Sequence, residues 1–325
     1  MAEMRVIEHG AGGAPDVLSV GTTAIPEPGP GQLLVRVAAA GVNGPDLKQR
    51  AGGYPPPKGA SPYMGLEMSG EIVALGDGVT GWAVGDHLCA LTNGGSYAEY
   101  VAVPAAQCLP IPDGVDLIDA AGLCETFFTV WSNVWHGHDV PAGQTLLVHG
   151  GGGGIGSTAV QLGTAMGLRV FTTAGSDASR GLAAKMGAER VINYREEDFV
   201  EIVSEAGGAD IVVDFMGGEY VQRNFKTCNQ DARVIFLAFD LGAKTEVNLM
   251  PIMLKRLKLT GATLRPRPPE FKAAVASELR AQVWPLFPQG KLQTVTHKIF
   301  DFEDAAQAHA YMEAGGHAGK ILLKL

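Results

Sequence analysis

The sequence predicts an α/β fold with two domains, the second of which is a doubly wound parallel sheet. Residues 1–122 consist of short β-rich pieces broken by glycine and proline, such as QLLVRVAAAGV at 32–42. This pattern is typical of an antiparallel, loop-rich domain. From residue 143 onward, apolar strands alternate with helical stretches. That alternation predicts a parallel sheet covered by helices on both faces.

Six strands are predicted for the second domain, near 145–149, 169–173, 190–192, 209–214, 232–237 and 257–261. We assign residues 123–262 to this domain, because the alternation stops near residue 262 and PRPP at 266–269 breaks the chain. Two helices follow, at about 270–283 and 303–315, and then a last strand, KILLKL. We expect residues 263–325 to return to the first domain and complete it.

The composition of the chain indicates which classes of molecule it binds. The chain has 325 residues and a formal net charge of −9, which disfavours nucleic acid and anionic membranes because both require clustered lysine and arginine. No apolar run reaches the roughly 18 residues of a membrane-spanning helix. The four cysteines are far apart, which favours reduced thiols over a disulfide framework or a metal clip. We therefore expect a cytoplasmic protein that acts on a small molecule.

The strongest motif is the glycine run HGGGGGIG at 149–156, between the strand TLLVH and a helix. Gly151, Gly153 and Gly156 occupy the three positions of a G-x-G-x-x-G sequence. The first glycine is expected to permit the tight turn, the second to let a pyrophosphate approach the backbone, and the third to let helix and strand pack closely. The helix N-terminus would hold the phosphates. The predicted dinucleotide site comprises Gly151, Gly152, Gly153, Gly154, Ile155 and Gly156.

The next strand indicates which dinucleotide binds. An NAD-specific site places Asp or Glu at its end, against the ribose 2′-hydroxyl, and here that place is Ala174 or Gly175. Ser176, Arg180 and Tyr194 can supply hydrogen bonds and positive charge to a 2′-phosphate. We therefore predict NADPH, with NADH possible. The alternative is that Arg180 is a solvated helix residue and that Asp177 supplies the missing acid.

The order of the domains resembles the medium-chain dehydrogenase/reductases, which combine a GroES-like catalytic domain with a Rossmann nucleotide-binding domain. In the members of that family that bind catalytic zinc, the ligands are Cys, His and Cys or Glu. Here Asn43 and Leu66 take the places of the first two ligands, and Glu125 matches the third. One carboxylate does not make a zinc site. The lobe that binds structural zinc is also missing, so the resemblance predicts an enzyme without metal.

Several stretches resemble the zinc-independent quinone oxidoreductase branch, among them GVNGPDLKQRAGGYPPP at 41–57 and INYREEDF at 192–199. The resemblance is closest to the stress-inducible NADPH quinone reductases, although these tend to carry a lysine where this chain has Ser179. It implies hydride transfer to a quinone or an α,β-unsaturated carbonyl. It also implies a homodimer, which an exposed edge strand of the six-stranded sheet would allow.

The resemblance further implies roles for single residues. Asn43 and Thr129 would lie near the nicotinamide, and Tyr54 would hydrogen-bond the acceptor oxygen, which makes Asn43 and Tyr54 the catalytic candidates. Phe239 and Lys320 complete the cofactor-binding set. Simpler alternatives are that Asn43 is only a turn residue and that Tyr54 packs on the prolines that follow it. Asp46 is expected to hold the loop.

Two other functions remain open on the sequence. Some members of this branch bind NADPH and serve as structural or regulatory proteins with little turnover. An enoyl-thioester reductase would share the fold and the cofactor. Arg265, Arg267 and Lys272 would suit an anionic substrate of that kind, but we expect these three residues to be solvated parts of a loop.

Overall fold

The computed structural model describes residues 2–325, which form two compact units. The first unit contains residues 2–128 together with Arg265–Gly315 and Lys320–Leu325. The second unit contains Thr129–Leu264 and Gly316–Gly319. Within residues 2–325, no helix has both the length and the apolar character needed to span a bilayer.

The elements are numbered in chain order. The strands are β1 (Glu3–Glu8), β2 (Ser19–Ala24), β3 (Gln32–Val42), β4 (Glu67–Leu75), β5 (His87–Leu91), β6 (Tyr100–Pro104), β7 (Cys108–Pro110), β8 (Thr145–Val148), β9 (Arg169–Ala174), β10 (Arg190–Asn193), β11 (Ala209–Asp214), β12 (Cys228–Phe236), β13 (Lys258–Gly261), β14 (Thr296–Asp301) and β15 (Lys320–Lys324). The helices are α1 (Gly44–Arg50), α2 (Cys124–Val134), α3 (Gly154–Ala165), α4 (Asp177–Lys185), α5 (Phe199–Glu205), α6 (Tyr220–Thr227), α7 (Met250–Lys255), α8 (Pro269–Glu278) and α9 (Ala305–Ala314). A π-helical turn, Leu279–Val283, continues α8.

The first unit is built on a mainly antiparallel sheet in the order β14-β15-β3-β4-β5-β7, with β6 also paired to β3. Only β14 and β15 run parallel. Apolar side chains of β3, such as Leu33 and Val35, pack with Met68 and Ile72 of β4 in a fully buried cluster. The antiparallel fold predicted for the first part of the chain is confirmed. The late strand β15 occupies an interior position of this sheet.

The second unit is a six-stranded parallel sheet in the order β10-β9-β8-β11-β12-β13. The doubly wound sheet predicted from the alternating pattern is therefore confirmed. The strand order changes direction between β8 and β11, and sheets of this kind bind ligands at the carboxyl ends of the strands at such a point. The edge strand β13 differs from the expectation that both faces of the sheet are covered, because each of its four residues is exposed.

Candidate active site

The glycine run forms the turn between β8 and α3. Gly150 has a positive φ of 71°, and its carbonyl oxygen accepts from Gly153 N–H over 3.1 Å, so Gly151 and Gly152 are the central residues of the turn. A side chain at Gly151 is excluded for another reason, since its Cβ would lie 2.1 Å from Thr172 Oγ1 of β9. Gly156 is required by packing, because a Cβ there would lie 2.1 Å from the carbonyl oxygen of Gly150. Gly151 therefore lies in the turn and has no room for a side chain, and the role of Gly156 is explained by the close approach of the helix to the loop.

Gly153 differs from its neighbours. It is the N-cap of α3, and the nearest atom to a Cβ placed there would be the Gly150 carbonyl oxygen, 3.6 Å away. Protein packing alone does not require glycine at this position. In contrast, a Cβ at Gly152 would lie 2.3 Å from Ser179 Cβ, and the Gly152 carbonyl accepts a hydrogen bond of 2.8 Å from Gly319 N–H. Of Gly151, Gly152, Gly153 and Gly156, Gly153 is thus the one with room for a Cβ, and it stands at the start of a helix.

A buried histidine anchors this loop. His149, which directly follows β8, has Nε2 2.7 Å from Asn224 Oδ1 and Nδ1 3.2 Å from Thr173 Oγ1. The Asn224 amide donates in turn to Asp214 Oδ2 over 2.9 Å. Burial lowers the pKa of His149, so the imidazole is neutral at physiological pH. The ends of β8, β9 and β11 are therefore tied together beneath the glycine run.

The residues predicted for a 2′-phosphate lie together at the ends of β9 and β10. Ser176 is the N-cap of α4, where its Oγ accepts from Ser179 N–H over 3.2 Å. Tyr194 is half exposed and covers Gly175, at which a Cβ would lie 2.3 Å from the tyrosine oxygen. Arg180 forms an ion pair with Asp177, so its guanidinium is shared with a carboxylate of its own helix.

Two further predicted cofactor residues belong to the second unit. Phe239 follows β12, is 47% exposed and stacks on Phe236 with ring centroids 5.8 Å apart. Thr129 lies in α2 and is 7% exposed, and its carbonyl accepts from the Asn133 amide over 2.7 Å.

The first unit contains a buried polar cluster around Asn43, the N-cap of α1. Lys320 Nζ donates to Asn43 Oδ1 and to Glu67 Oε1, both over 2.6 Å. Asn43 Nδ2 donates to the same Glu67 oxygen over 2.9 Å. The amide is thereby fixed in one orientation, so Asn43 is more than a turn residue. Lys320, predicted to bind cofactor, is 5% exposed and has its ammonium in this ion pair.

Glu67 was missed by the sequence reasoning, although a charged residue inside the apolar segment MGLEMSG was the available signal. Its side chain is completely buried. Behind the cluster, Asp46 accepts from Asn43 N–H over 2.9 Å and from Gly65 N–H over 3.1 Å, which confirms that it holds the loop. Burial raises the pKa of Asp46 to about 7, against the lowering effect of these two backbone donors.

Glu125 stands in the first turn of α2, where its N–H donates to Glu67 Oε2 over 2.8 Å. Its own side chain is 8% exposed. Burial, and then the nearby charge of Glu67, raise the pKa of Glu125 to about 8, while Lys320 and Lys272 act in the opposite direction. The carboxyl is therefore mostly protonated at neutral pH.

We expected Arg265, Arg267 and Lys272 to be solvated parts of a loop, and this expectation was wrong for two of the three. Arg265 is 5% exposed and Lys272 is completely buried. Only Arg267 is exposed, with its guanidinium carbon 3.8 Å from the ring centroid of Phe271. Arg265 instead faces Tyr54, with 5.4 Å from guanidinium carbon to ring centroid, so Tyr54 packs against a cation as well as preceding three prolines.

The zinc-ligand positions do not fit a metal. Both side-chain polar atoms of Asn43 are engaged by Lys320 and Glu67, and Leu66 is a buried apolar residue. Across residues 2–325, no three His, Cys, Asp or Glu side chains are grouped so as to hold a metal ion. Glu125 is thus the one potential ligand among the three positions, and three are needed.

Comparison with known proteins places these features in context. Residues 29–113 match the alcohol dehydrogenase GroES-like domain, and residues 154–279 match the zinc-binding dehydrogenase family. The chain is 31% identical to the quinone oxidoreductase of Rattus norvegicus over 332 residues, which cover 100% of this chain and 98% of that protein.

Two further similarities concern cofactor and substrate class. The crystal structure of Escherichia coli quinone oxidoreductase complexed with NADPH has a TM-score of 0.84 and 26% identity, with complete coverage of both chains. A phenolphthiocerol/phthiocerol polyketide synthase of Mycobacterium tuberculosis is 30% identical over 321 residues, which are 95% of this chain and 14% of that protein.

Proposed function

Because the chain belongs to the medium-chain dehydrogenase/reductase family and is a quinone oxidoreductase-like enzyme, we propose that it reduces a quinone or an α,β-unsaturated carbonyl with NADPH and without zinc. The observation that carries the proposal is the Asn43–Glu67–Lys320 cluster, which engages both polar atoms of Asn43 at the first ligand position, while the apolar Leu66 occupies the second. Without a Lewis acid, a simple alcohol or ketone is a poor substrate. A quinone or enone accepts a hydride because the resulting anion is delocalised.

The residues present fit NADPH. The open face of Gly153 and the N-terminus of α3 would hold the pyrophosphate, and Ser176, Arg180 and Tyr194 would hold the 2′-phosphate. When bound, the reduced nicotinamide supplies the hydride. Phe239 would contact the cofactor through its exposed ring, and Thr129, which is buried, through the 7% of its surface that is accessible.

The chain's own residues would orient the acceptor and supply a proton. Asn43 presents a fixed amide, because Glu67 and Lys320 each hold one of its polar atoms. The Tyr54 hydroxyl would donate a hydrogen bond to the acceptor oxygen. Glu125, protonated at neutral pH, would supply the proton that completes the reduction.

The proposal is tested by NADPH oxidation with a panel of 1,2-quinones, 1,4-quinones and enones, before and after dialysis against a zinc chelator. We expect turnover of quinones or enones at a rate that the chelator does not change. We also expect Tyr54→Phe to lower kcat about 100-fold, as loss of a hydrogen bond to the developing oxyanion does. Turnover that requires added zinc would contradict the proposal, and so would tight NADPH binding with no reduction of any acceptor.

Similarity to a segment of a polyketide synthase supports a second candidate, reduction of an enoyl thioester. The two functions share the fold and the cofactor site and differ in the acceptor. A crotonyl-thioester assay distinguishes them. A kcat/KM for that thioester well above the best quinone would favour the enoyl-thioester reductase.

We further propose a homodimer formed through the second unit. Its edge strand β13 is exposed along its length, and α7 with its N-cap presents three strongly exposed apolar residues nearby in sequence. Leu249, Met253 and Leu254 are 63%, 66% and 63% exposed. Apolar side chains beside an unpaired strand edge favour pairing with a second copy of the chain.

A further inference from the structure

The buried Arg265 has one donor group without a partner. Its Nε and Nη2 both donate to the carbonyl oxygen of Asn93, over 3.0 and 2.8 Å. Its Nη1 is shielded from solvent and makes no hydrogen bond to any atom of residues 2–325. A buried donor that remains unpaired destabilises the protein, and more so when it is charged. Such a group needs an explanation, and a ligand that accepts a hydrogen bond from Nη1 would supply it.

Lys272 adds a second buried charge at the same place. Its Nζ donates to Asn93 Oδ1 over 2.5 Å and to the Arg265 carbonyl oxygen over 2.8 Å. Both of these hydrogen-bond acceptors are neutral groups. Within residues 2–325, neither Arg265 nor Lys272 has a carboxylate at ion-pairing distance. Burial lowers the pKa of Lys272 to about 8, as is expected of an ammonium without a counter-charge.

The positive charges of Arg265 and Lys272 are only partly balanced by nearby carboxyls. Asp46 and Glu125 act electrostatically on Arg265, and Glu125 acts also on Lys272. Burial raises the pKa of Asp46 to about 7 and that of Glu125 to about 8, so neither carries a full negative charge at neutral pH. The Tyr54 ring lies against the Arg265 guanidinium. Positive charge is therefore concentrated next to the residue proposed to bind the acceptor oxygen.

We infer that the acceptor of this enzyme carries a carboxylate, and that Arg265, held in place by Asn93 and supported by the charge of Lys272, binds that carboxylate through Nη1. The inference rests on the proposed function and specifies its substrate class. A guanidinium N–H is a strong donor to a carboxylate, and the bond is stronger in a site shielded from water. An acceptor with the carboxylate beside its reducible double bond would place that bond near Tyr54.

The test compares two acceptors that differ only in this group, 4-oxopent-2-enoate and its methyl ester. We measure kcat/KM for each with the wild-type enzyme, with Arg265→Met and with Arg267→Met. Arg267 is the matched control, because it loses the same charge two residues away on an exposed surface. We expect Arg265→Met to lower kcat/KM for the carboxylate about 10- to 100-fold, as loss of a charged hydrogen bond does, and to change that for the ester less than about threefold. Arg267→Met should affect both acceptors equally and slightly.

If Arg265→Met fails to fold, a binding measurement on the wild-type protein can still refute the inference. Ligand-observed NMR titration compares 4-oxopentanoate with 4-oxopentanamide, and we expect the acid to bind at least about tenfold more tightly. Equal affinities would overturn the inference, as would equal losses for both acceptors in Arg265→Met. In those cases the ester and the quinones would still be reduced, and the proposed function would stand. Failure to reduce any acceptor would overturn both.

Discussion

Replacement of Glu125 by glutamine should make the protein more resistant to alkaline pH. The folded pKa of Glu125 is about 8, against an ordinary value of 4.5. A carboxyl whose pKa is raised by folding contributes stability that is fully present below pH 4.5 and is lost as pH rises through about 8. Each pKa unit corresponds to about 1.36 kcal/mol, so the difference between 4.5 and about 8 corresponds to about 5 kcal/mol of unfolding free energy. Glutamine resembles the protonated carboxyl and does not ionise, so Glu125→Gln does not lose this stability at alkaline pH.

The assay is denaturant unfolding followed by tryptophan fluorescence at several pH values from about 5 to 9. The two proteins should have similar midpoints at the acidic end, and Glu125→Gln should be the more stable by up to about 5 kcal/mol at the alkaline end. Glu3→Gln serves as the control, because Glu3 is exposed on β1. Asp46, whose pKa is raised in the same direction, is present in both proteins, so its own burial cancels in the difference and its charge effect on Glu125 remains part of the predicted loss. Parallel stability profiles for wild type and Glu125→Gln would refute the burial argument.

Three other predictions concern the second unit. Gly153→Val should abolish NADPH binding, measured by fluorescence titration, and should lower the thermal midpoint only as far as loss of a glycine N-cap does, because a Cβ at this position has no protein contact closer than 3.6 Å; Gly181→Ala, inside α4, should leave NADPH binding unchanged and raise the midpoint slightly. Arg180→Ala should weaken the binding of NADPH more than that of NADH. Asp177→Asn should tighten the binding of NADPH up to about fivefold, because it releases Arg180 from its ion pair. Equal effects on the two nucleotides would show that Arg180 does not reach the phosphate. Met253→Asp should convert a dimer into monomers in sedimentation velocity, and an unchanged sedimentation coefficient would place the interface elsewhere.

The sequence was sufficient where the signal was periodic or local. The parallel strands could be predicted because uniformly apolar segments such as TLLV must be buried on both faces, and the glycine run lies directly between such a strand and a helix. Its individual glycines were harder to interpret. The motif marks Gly151 as a turn residue, but the positive φ belongs to Gly150, and only the position of Thr172 on the neighbouring strand explains why Gly151 has no side chain.

The buried charges could not be predicted, because their partners are distant in sequence. Lys320 and Glu67 are 253 residues apart, and Lys272 and Asn93 are 179 residues apart. Lysine and arginine in a proline-rich segment are usually exposed, as Arg267 is. Nothing local distinguishes Arg265 and Lys272 from it. Only the backbone and side chain of Asn93, presented after β5, make their burial possible.

The interior position of β15 determines when the first unit can be assembled during synthesis. Lys320 and Asn43 are 277 residues apart, which at about 5 to 20 residues per second is a delay of about 14 to 55 s. Throughout that interval residues 39–42 of β3 lack the strand that pairs with them, although β6 already pairs with residues 32–36, and Glu67 has no ammonium beside it. An unpaired apolar stretch of strand can pair with another chain, so this part of β3 is exposed to aggregation for that time. The acceptor site can be completed only after Lys320 has left the ribosome, when β15 pairs with β3 and the ammonium of Lys320 reaches Glu67.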